Sequence, residues 1–376
     1  MNNNIDVGVS NFINFSRWVC AFIVVLGHVR GLLFVDYSSV FEKNLFVRTF
    51  YFMSSLGHEA VLVFFVLSGY LVGGVTFNKW GRDRPKFLVY FIDRLTRIYV
   101  VLIPALLFGF ALDSIGTYYF NFDNIYTSPD IYSFPSVQSS ILDKLDIKVF
   151  LCNIFMIDKF GLLGSNGPLW SLHFEWWYYS FFGLICFFYF KKSFCSLFFA
   201  LMILFFMPLK MLSLIFVWFL GFYSYLFMRK VRLNKAFFLF GIVFFFISML
   251  IPKLSILSGY ELFFLKNGIF SDFFVAVAYS LMLVSARGGN NVNKLNFSLA
   301  SFSYTTYLFH FPFLFFFVSY TYSIKGVVSK FQPNLVGFSV FFILLSMIYL
   351  YSYICYFLFE RNTIRIRNYL YGRAKA

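Results

Sequence analysis

Apolar residues run along this chain in blocks of roughly 20, the length at which a helix crosses a hydrocarbon core of ~30 Å. The blocks lie near 12–34, 50–74, 95–115, 169–190, 194–209, 211–228, 236–251, 271–286, 297–320 and 335–359. They predict an all-α integral membrane protein with about ten transmembrane helices. The boundary around Pro208 and Lys210 reads as a tight hairpin. An eleventh apolar piece, Val149 to Ile157, is too short to span and is expected to lie on the interface or re-enter near 149–157.

The short polar stretches carry the topology signal. With the N-terminus in the cytoplasm, the inner loops hold Lys79, Arg82, Arg84 and Lys86, then Lys191 and Lys192, then Arg229, Lys230, Arg232 and Lys235, then Arg287 and Lys294. The tail adds Arg361, Arg365, Arg367, Arg373 and Lys375, while the outer segment 113–168 is acidic. Both dense basic segments face inside only if Val149–Ile157 does not cross, so ten spans with both termini cytoplasmic is the expected arrangement.

Composition agrees. The chain of 376 residues is 60% hydrophobic and only 12% charged, about half the charge a soluble domain carries. No internal repeat or appended soluble domain is visible, so residues 1–376 read as one transmembrane domain. The net charge of +15 sits in loops and reads as topology rather than nucleic-acid binding. Cys20, Cys152, Cys186, Cys195 and Cys355 have no metal-ligand spacing and read as structural thiols; no metal is expected. The first apolar block lacks a small-residue cleavage site and reads as retained. The 61 phenylalanines carry no functional reading.

Ionisable residues at membrane depth are costly and mark candidate function. Arg17 and His28 are eleven residues apart, which places them on one helix face with ~16 Å between them along the axis. A cation at the cytoplasmic edge and an imidazole deep in the span suit an extended ligand with an anionic head. Arg94 and Arg97, at i and i+3 at the start of the third span, suit phosphates. The second span carries His58 and Glu59 near its outer end, then Ser68-Gly69, which permits close helix packing. The fourth opens with Pro168, Trp170, Ser171 and Glu175; a Glu175–His28 pair could fix the imidazole tautomer. The ninth holds Ser303, Tyr304, Tyr307 and His310, with His310 two residues before the kink-forming Pro312. Each has a plainer reading: a snorkelling arginine, a lipid headgroup contact, or a structural ion pair.

Five of these stretches, in order, resemble the acyltransferase 3 family of polytopic membrane acyltransferases. They are Arg17-x10-His28; Phe64-Phe65-Val66-Leu67-Ser68-Gly69-Tyr70-Leu71; Arg94-x2-Arg97-Ile98; Trp170-Ser171-Leu172-x2-Glu175; and Ser303-Tyr304-x2-Tyr307-Leu308-x-His310-x-Pro312. The resemblance covers residues ~12 to ~361. Two departures stand out. Val100 follows Arg97-Ile98-Tyr99 where the family has an earlier proline, here Pro104, and Glu360-Arg361-Asn362 replaces the usual Glu-x-Pro.

The resemblance implies transfer of an acyl group, commonly acetyl, from cytoplasmic acyl-coenzyme A. The acceptor would be a hydroxyl of a cell-surface polysaccharide, such as O-antigen of lipopolysaccharide, or its lipid-linked precursor, on the far side of a bacterial inner membrane. It implies Arg17, Arg94 and Arg97 on the donor phosphates, His28 as general base and Glu175 as its orienter or the acceptor's. Trp170, Ser171, His58, Ser68, Tyr304 and His310 are further pocket candidates. The competing readings are a lipid-linked glycan polymerase or glycosyltransferase, which has no need of the Arg-x10-His span. A flippase or transporter for lipid-linked sugars would be expected to show repeat symmetry or broken helices.

Overall fold

The computed structural model describes residues 5–132, 134, 136–137, 139–258, 268–288 and 291–375. It is 80% helical, with no strand among the described residues. In chain order the helices are α1 Val7–Leu33, α2 Leu45–Ser54, α3 Gly57–Ser68, α4 Val75–Arg82, α5 Phe87–Tyr119, α6 Ile147–Ile154, α7 Leu169–Lys191, α8 Phe194–Phe206, α9 Leu209–Lys230, α10 Lys235–Ser258, α11 Ile269–Ser285, α12 Lys294–Ser301, α13 Ser303–Lys325, α14 Leu335–Leu358 and α15 Thr363–Lys375.

Every expected span meets a helix, and six helical stretches among the described residues are long and apolar enough to cross a membrane. They are Val7–Leu33, Gly57–Arg82, Phe87–Tyr119, Leu209–Lys230, Ser303–Lys325 and Leu335–Gly372. Phe194–Phe206, Lys235–Leu250 and Ile269–Ser285 are apolar but shorter. The protein is a multi-pass membrane protein.

Several boundaries move. The span expected at 50–74 runs instead from Gly57 to Arg82. A separate helix, α2, precedes it: Asn44 caps its start by accepting from Val47 N at 2.9 Å, and Ser55 ends it. The next helix continues through a π-helical turn, Gly69–Gly74, into α4. The third span starts at Phe87 rather than near 95, because the apolar Phe87–Ile92 extends the helix backward from Asp93. It also ends later, at Tyr119, so Asp113 is a helical residue rather than the first acid of a loop. The ninth span divides at Phe302 into α12 and α13. The piece at 149–157 is α6, capped by Asp146, which accepts from Lys148 N at 2.6 Å.

The chain gathers into two compact units. The first comprises Met1–Cys20, His58–Phe91 and Phe174–Ala300; the second comprises Ala21–Gly57, Ile92–His173 and Ser301–Ala376. Helices α1, α5 and α7 therefore each contribute to both. In the first unit α9 lies against the π-helical turn through glycines on both sides. A Cβ at Gly69 would fall on the carbonyl oxygen of Trp218, and one at Gly221 on that of Val66. Small residues let the two backbones approach, the usual way membrane helices gain contact when lipid is as apolar as leucine.

The second unit holds a core of fully buried side chains from the end of α1, the 125–141 segment, α13 and α14, among them Val29, Leu33, Tyr126, Phe315 and Phe341. Pro312 sits inside α13 and is buried. It has no N–H for the carbonyl of Leu308, four residues earlier. Asn166 Nδ2 donates to that carbonyl at 3.0 Å. A side chain from the segment before α7 thus replaces the donor that the proline lacks. Asn166 is itself held by a neighbour: Asp113, 1% exposed, accepts from Ser165 N at 2.7 Å and from Ser165 Oγ at 2.8 Å.

Candidate active site

In the second unit His28, from α1, and His310, from α13, form a direct pair. His28 Nδ1 lies 2.8 Å from His310 Nε2, and the ring planes are within 14° of each other. His310 is fully buried, and Phe311 packs edge-on against the His28 ring. His310 Nδ1 faces two backbone carbonyls, Thr306 O at 3.0 Å and Tyr307 O at 2.8 Å.

Those carbonyls fix the protons. A carbonyl only accepts, so His310 Nδ1 carries the hydrogen. With both rings neutral, His310 Nε2 is then a lone pair and can only accept. His28 Nδ1 must donate to it, which leaves the lone pair of His28 on Nε2. His28 is half-buried, and its Nε2 makes no hydrogen bond among the described residues. The arrangement presents one basic nitrogen whose ring is held by a buried partner, as in a catalytic triad, with an imidazole where a triad has a carboxylate. His310, which the sequence offers only as a pocket candidate, is the group that meets His28 Nδ1.

Ser171 and Tyr307 meet beside this pair in the chain of contacts. Ser171 Oγ lies 2.6 Å from Tyr307 Oη, which also donates to Pro168 O at 3.2 Å. Both side chains are buried. Trp170, one residue before, is half-buried. These contacts tie the start of α7 to the turn of α13 whose carbonyls orient His310.

Arg94 and Arg97 lie in the second turn and third turn of α5, half-buried. Arg97 Nη1 donates to Glu360 Oε1 at 2.8 Å, and its guanidinium covers the Tyr304 ring at 4.8 Å from the centroid. Tyr304 Oη donates to Ile98 O at 3.4 Å. Tyr304 thus packs with Arg97. Glu360, 6% exposed, also accepts from Thr305 Oγ1 at 2.6 Å and Thr305 N at 3.2 Å. Thr305 N is one of the first-turn amides of α13 that lack an intrahelical acceptor, so Glu360 caps the helix from 55 residues downstream. Asp93, next to Arg94 in sequence, accepts from Tyr371 Oη at 2.6 Å and Arg367 Nη1 at 3.4 Å, both on α15.

The remaining candidates lie in the first unit. Arg17 is half-buried in α1, the helix that continues to His28. Glu175, on α7, accepts from Tyr179 Oη, one helical turn on. Tyr179 Oη in turn accepts from Ser68 Oγ at 3.1 Å. His58 sits in the first turn of α3, its Nε2 2.8 Å from Asp272 Oδ1. A groove of about 270 Å³ lined by Leu214, Val217, Ile269, Phe270 and Phe273 borders that aspartate. Among the described residues no cluster of side chains has the makeup of a metal site.

The sequence reading did not single out Asp113, Asn166, Tyr179 or Trp218. Pro312 was the available signal for Asn166, since a proline within a helix requires some other donor for the carbonyl four residues back. In the sequence Glu360 marks only a departure from a motif.

A family model described as "Acyltransferase domain" matches residues 10–362, nearly the whole chain. No curated protein and no solved structure matches it.

Proposed function

We propose the following reaction from one premise: the chain belongs to the acyltransferase 3 family and is a membrane acyltransferase. It moves an acyl group, acetyl in our reading, from cytoplasmic acyl-coenzyme A to a hydroxyl of a surface polysaccharide or its lipid-linked precursor. The observation that carries the chemistry is the His28–His310 pair, which leaves a lone pair on His28 Nε2.

The acceptor oxygen attacks the thioester carbonyl while His28 Nε2 takes its proton. The new C–O bond forms, the C–S bond breaks, and the imidazolium returns its proton to the departing thiolate. Donation from His28 Nδ1–H to His310 Nε2 strengthens as His28 gains charge, which is the direction a catalytic contact needs. Arg94 and Arg97 are the guanidiniums for the donor's phosphates, and planar forks suit that task. Arg97 is also bound to Glu360 and so has a second duty within the fold. Arg17 and Glu175 keep the roles of phosphate ligand and acceptor contact that their motifs imply.

The test uses purified protein in nanodiscs with radiolabelled acetyl-coenzyme A. Wild type should bind and consume it. Arg94→Ala should weaken binding by roughly tenfold or more, the worth of one charge-assisted contact of about 1.5–3 kcal/mol. A folded wild type that neither binds nor consumes the thioester would falsify the reaction.

We also propose ten crossings of a bacterial inner membrane with both termini cytoplasmic. Single cysteines placed at Arg232 and at Asp143 in a cysteine-free background should react differently with an impermeant maleimide on intact cells. Asp143→Cys should label and Arg232→Cys should not; the reverse pattern would invert the topology.

A further inference from the structure

Three side chains of the first unit form a one-way hydrogen-bond chain that ends on Glu175. Trp218 Nε1 donates to Ser68 Oγ at 3.0 Å, Ser68 Oγ donates to Tyr179 Oη at 3.1 Å, and Tyr179 Oη donates to Glu175 Oε1. The direction is forced at both ends. An indole N–H can only donate, and an ionised carboxylate can only accept. Ser68 receives from Trp218, so its own proton goes to Tyr179, and the phenol proton goes to Glu175. Trp218, Ser68 and Tyr179 are 0%, 7% and 5% exposed, so the bonds from Trp218 and from Ser68 are made away from water, where hydrogen bonds in series reinforce one another.

The sequence builds this chain locally. Glu175 and Tyr179 are one turn apart on α7, a spacing that lets their side chains meet. Ser68 is the last residue before the π-helical turn Gly69–Gly74, a feature that concentrates at functional sites. Gly69 and Gly221 remove the side chains that would hold α9 away, and Trp218 reaches Ser68 as a result.

Glu175 itself is half-buried, and its second oxygen makes no hydrogen bond among the described residues. One oxygen is thus anchored and the other is available. A purely structural carboxylate in a membrane protein would be expected to use both.

We propose that Trp218, Ser68 and Tyr179 are positioning residues for Glu175, and that the carboxylate they fix accepts a hydrogen bond from a hydroxyl of a polyhydroxylated acceptor. This rests on the acyl-transfer reading above for its substrate, but not for the chain of bonds. Tyr179→Phe keeps the ring and removes one proton. It raises the acceptor KM by about tenfold, the lower end of the worth of a hydrogen bond to a charged group. Ser68→Ala, two hydrogen bonds from Glu175, gives roughly threefold. Binding of acetyl-coenzyme A stays unchanged in both.

The deciding measurement is a double-mutant cycle with Glu175→Gln, using methyl glycosides of common hexoses as acceptors. Tyr179→Phe should add nothing to Glu175→Gln if it acts through that carboxylate, whereas a merely structural tyrosine would add its full effect. A second arm needs no turnover. The infrared carboxylate band that disappears in Glu175→Gln should shift in Tyr179→Phe and shift less in Ser68→Ala. Additive kinetics, or a band that does not move, overturns the positioning role. If wild type transfers nothing, the acyl-transfer reading has failed, and the infrared arm still decides whether the chain of bonds controls Glu175.

Discussion

His28→Ala is expected to bind acetyl-coenzyme A as wild type does and to lose transfer by about 10²–10⁴-fold, the contribution typical of a positioned general base. The prediction follows from the only basic nitrogen that the imidazole pair leaves uncommitted, His28 Nε2. His28→Gln is the better control for packing, because it fills the space and supplies no base. His310→Phe should fall between, at about 10–100-fold, since it removes the acceptor for His28 Nδ1–H and with it one hydrogen bond to a ring that becomes charged. His310→Gln should recover part of that loss, because an amide oxygen can still accept from His28 Nδ1. The split is diagnostic: His310 variants should change kcat and leave donor binding alone. Single-turnover measurement of labelled acyl transfer would separate the two quantities. Near-normal transfer in His28→Gln would remove the base from the mechanism.

The second large effect is on the fold. Glu360→Ala should destabilise the protein by about 3 kcal/mol, the lower end of what breaking a pair with one buried partner costs. The lower end applies because Arg97 is 39% exposed and water can compensate its charge, whereas Glu360 is 5% exposed at the side chain. The substitution also strips the first turn of α13 of its acceptor at Thr305 N. Glu360→Gln keeps an oxygen for Thr305 and loses the charge, so it should cost less. Unfolding followed by thiol exposure would report this, because Cys355 and Cys20 are buried in the folded protein. Equal midpoints for wild type and Glu360→Ala would show that α13 does not depend on its distant cap.

Much of the second unit could be read in the sequence because its chemistry is tied to helical spacing. Arg94 and Arg97 sit on one helix, and His310 stands two residues before Pro312. What spacing cannot supply is the partner across the fold. His28 and His310 are separated by 282 residues, and Glu360 and Thr305 by 55. That His310 of α13 meets His28 of α1 is a matter of packing, which no spacing along one helix encodes. Boundaries failed for a related reason. Apolar runs continue past the membrane-length window at Phe87, and the end of α2 at Ser55 divides what hydropathy joins. Trp218 escaped notice because an indole in an apolar span looks like any other core residue until its N–H is given an acceptor.

The Glu360 cap also sets a clock on biogenesis. At about 5–20 residues per second of synthesis, the 55 residues between Thr305 and Glu360 take several seconds to emerge. During that interval α13 has been made but lacks the carboxylate that completes its first turn, while Asn166, made long before, is already on hand for the carbonyl opposite Pro312. The helix that carries His310 thus has its mid-helix donor in the chain before its N-terminal cap, and a chain that stops just short of Glu360 lacks the acceptor for Thr305 N.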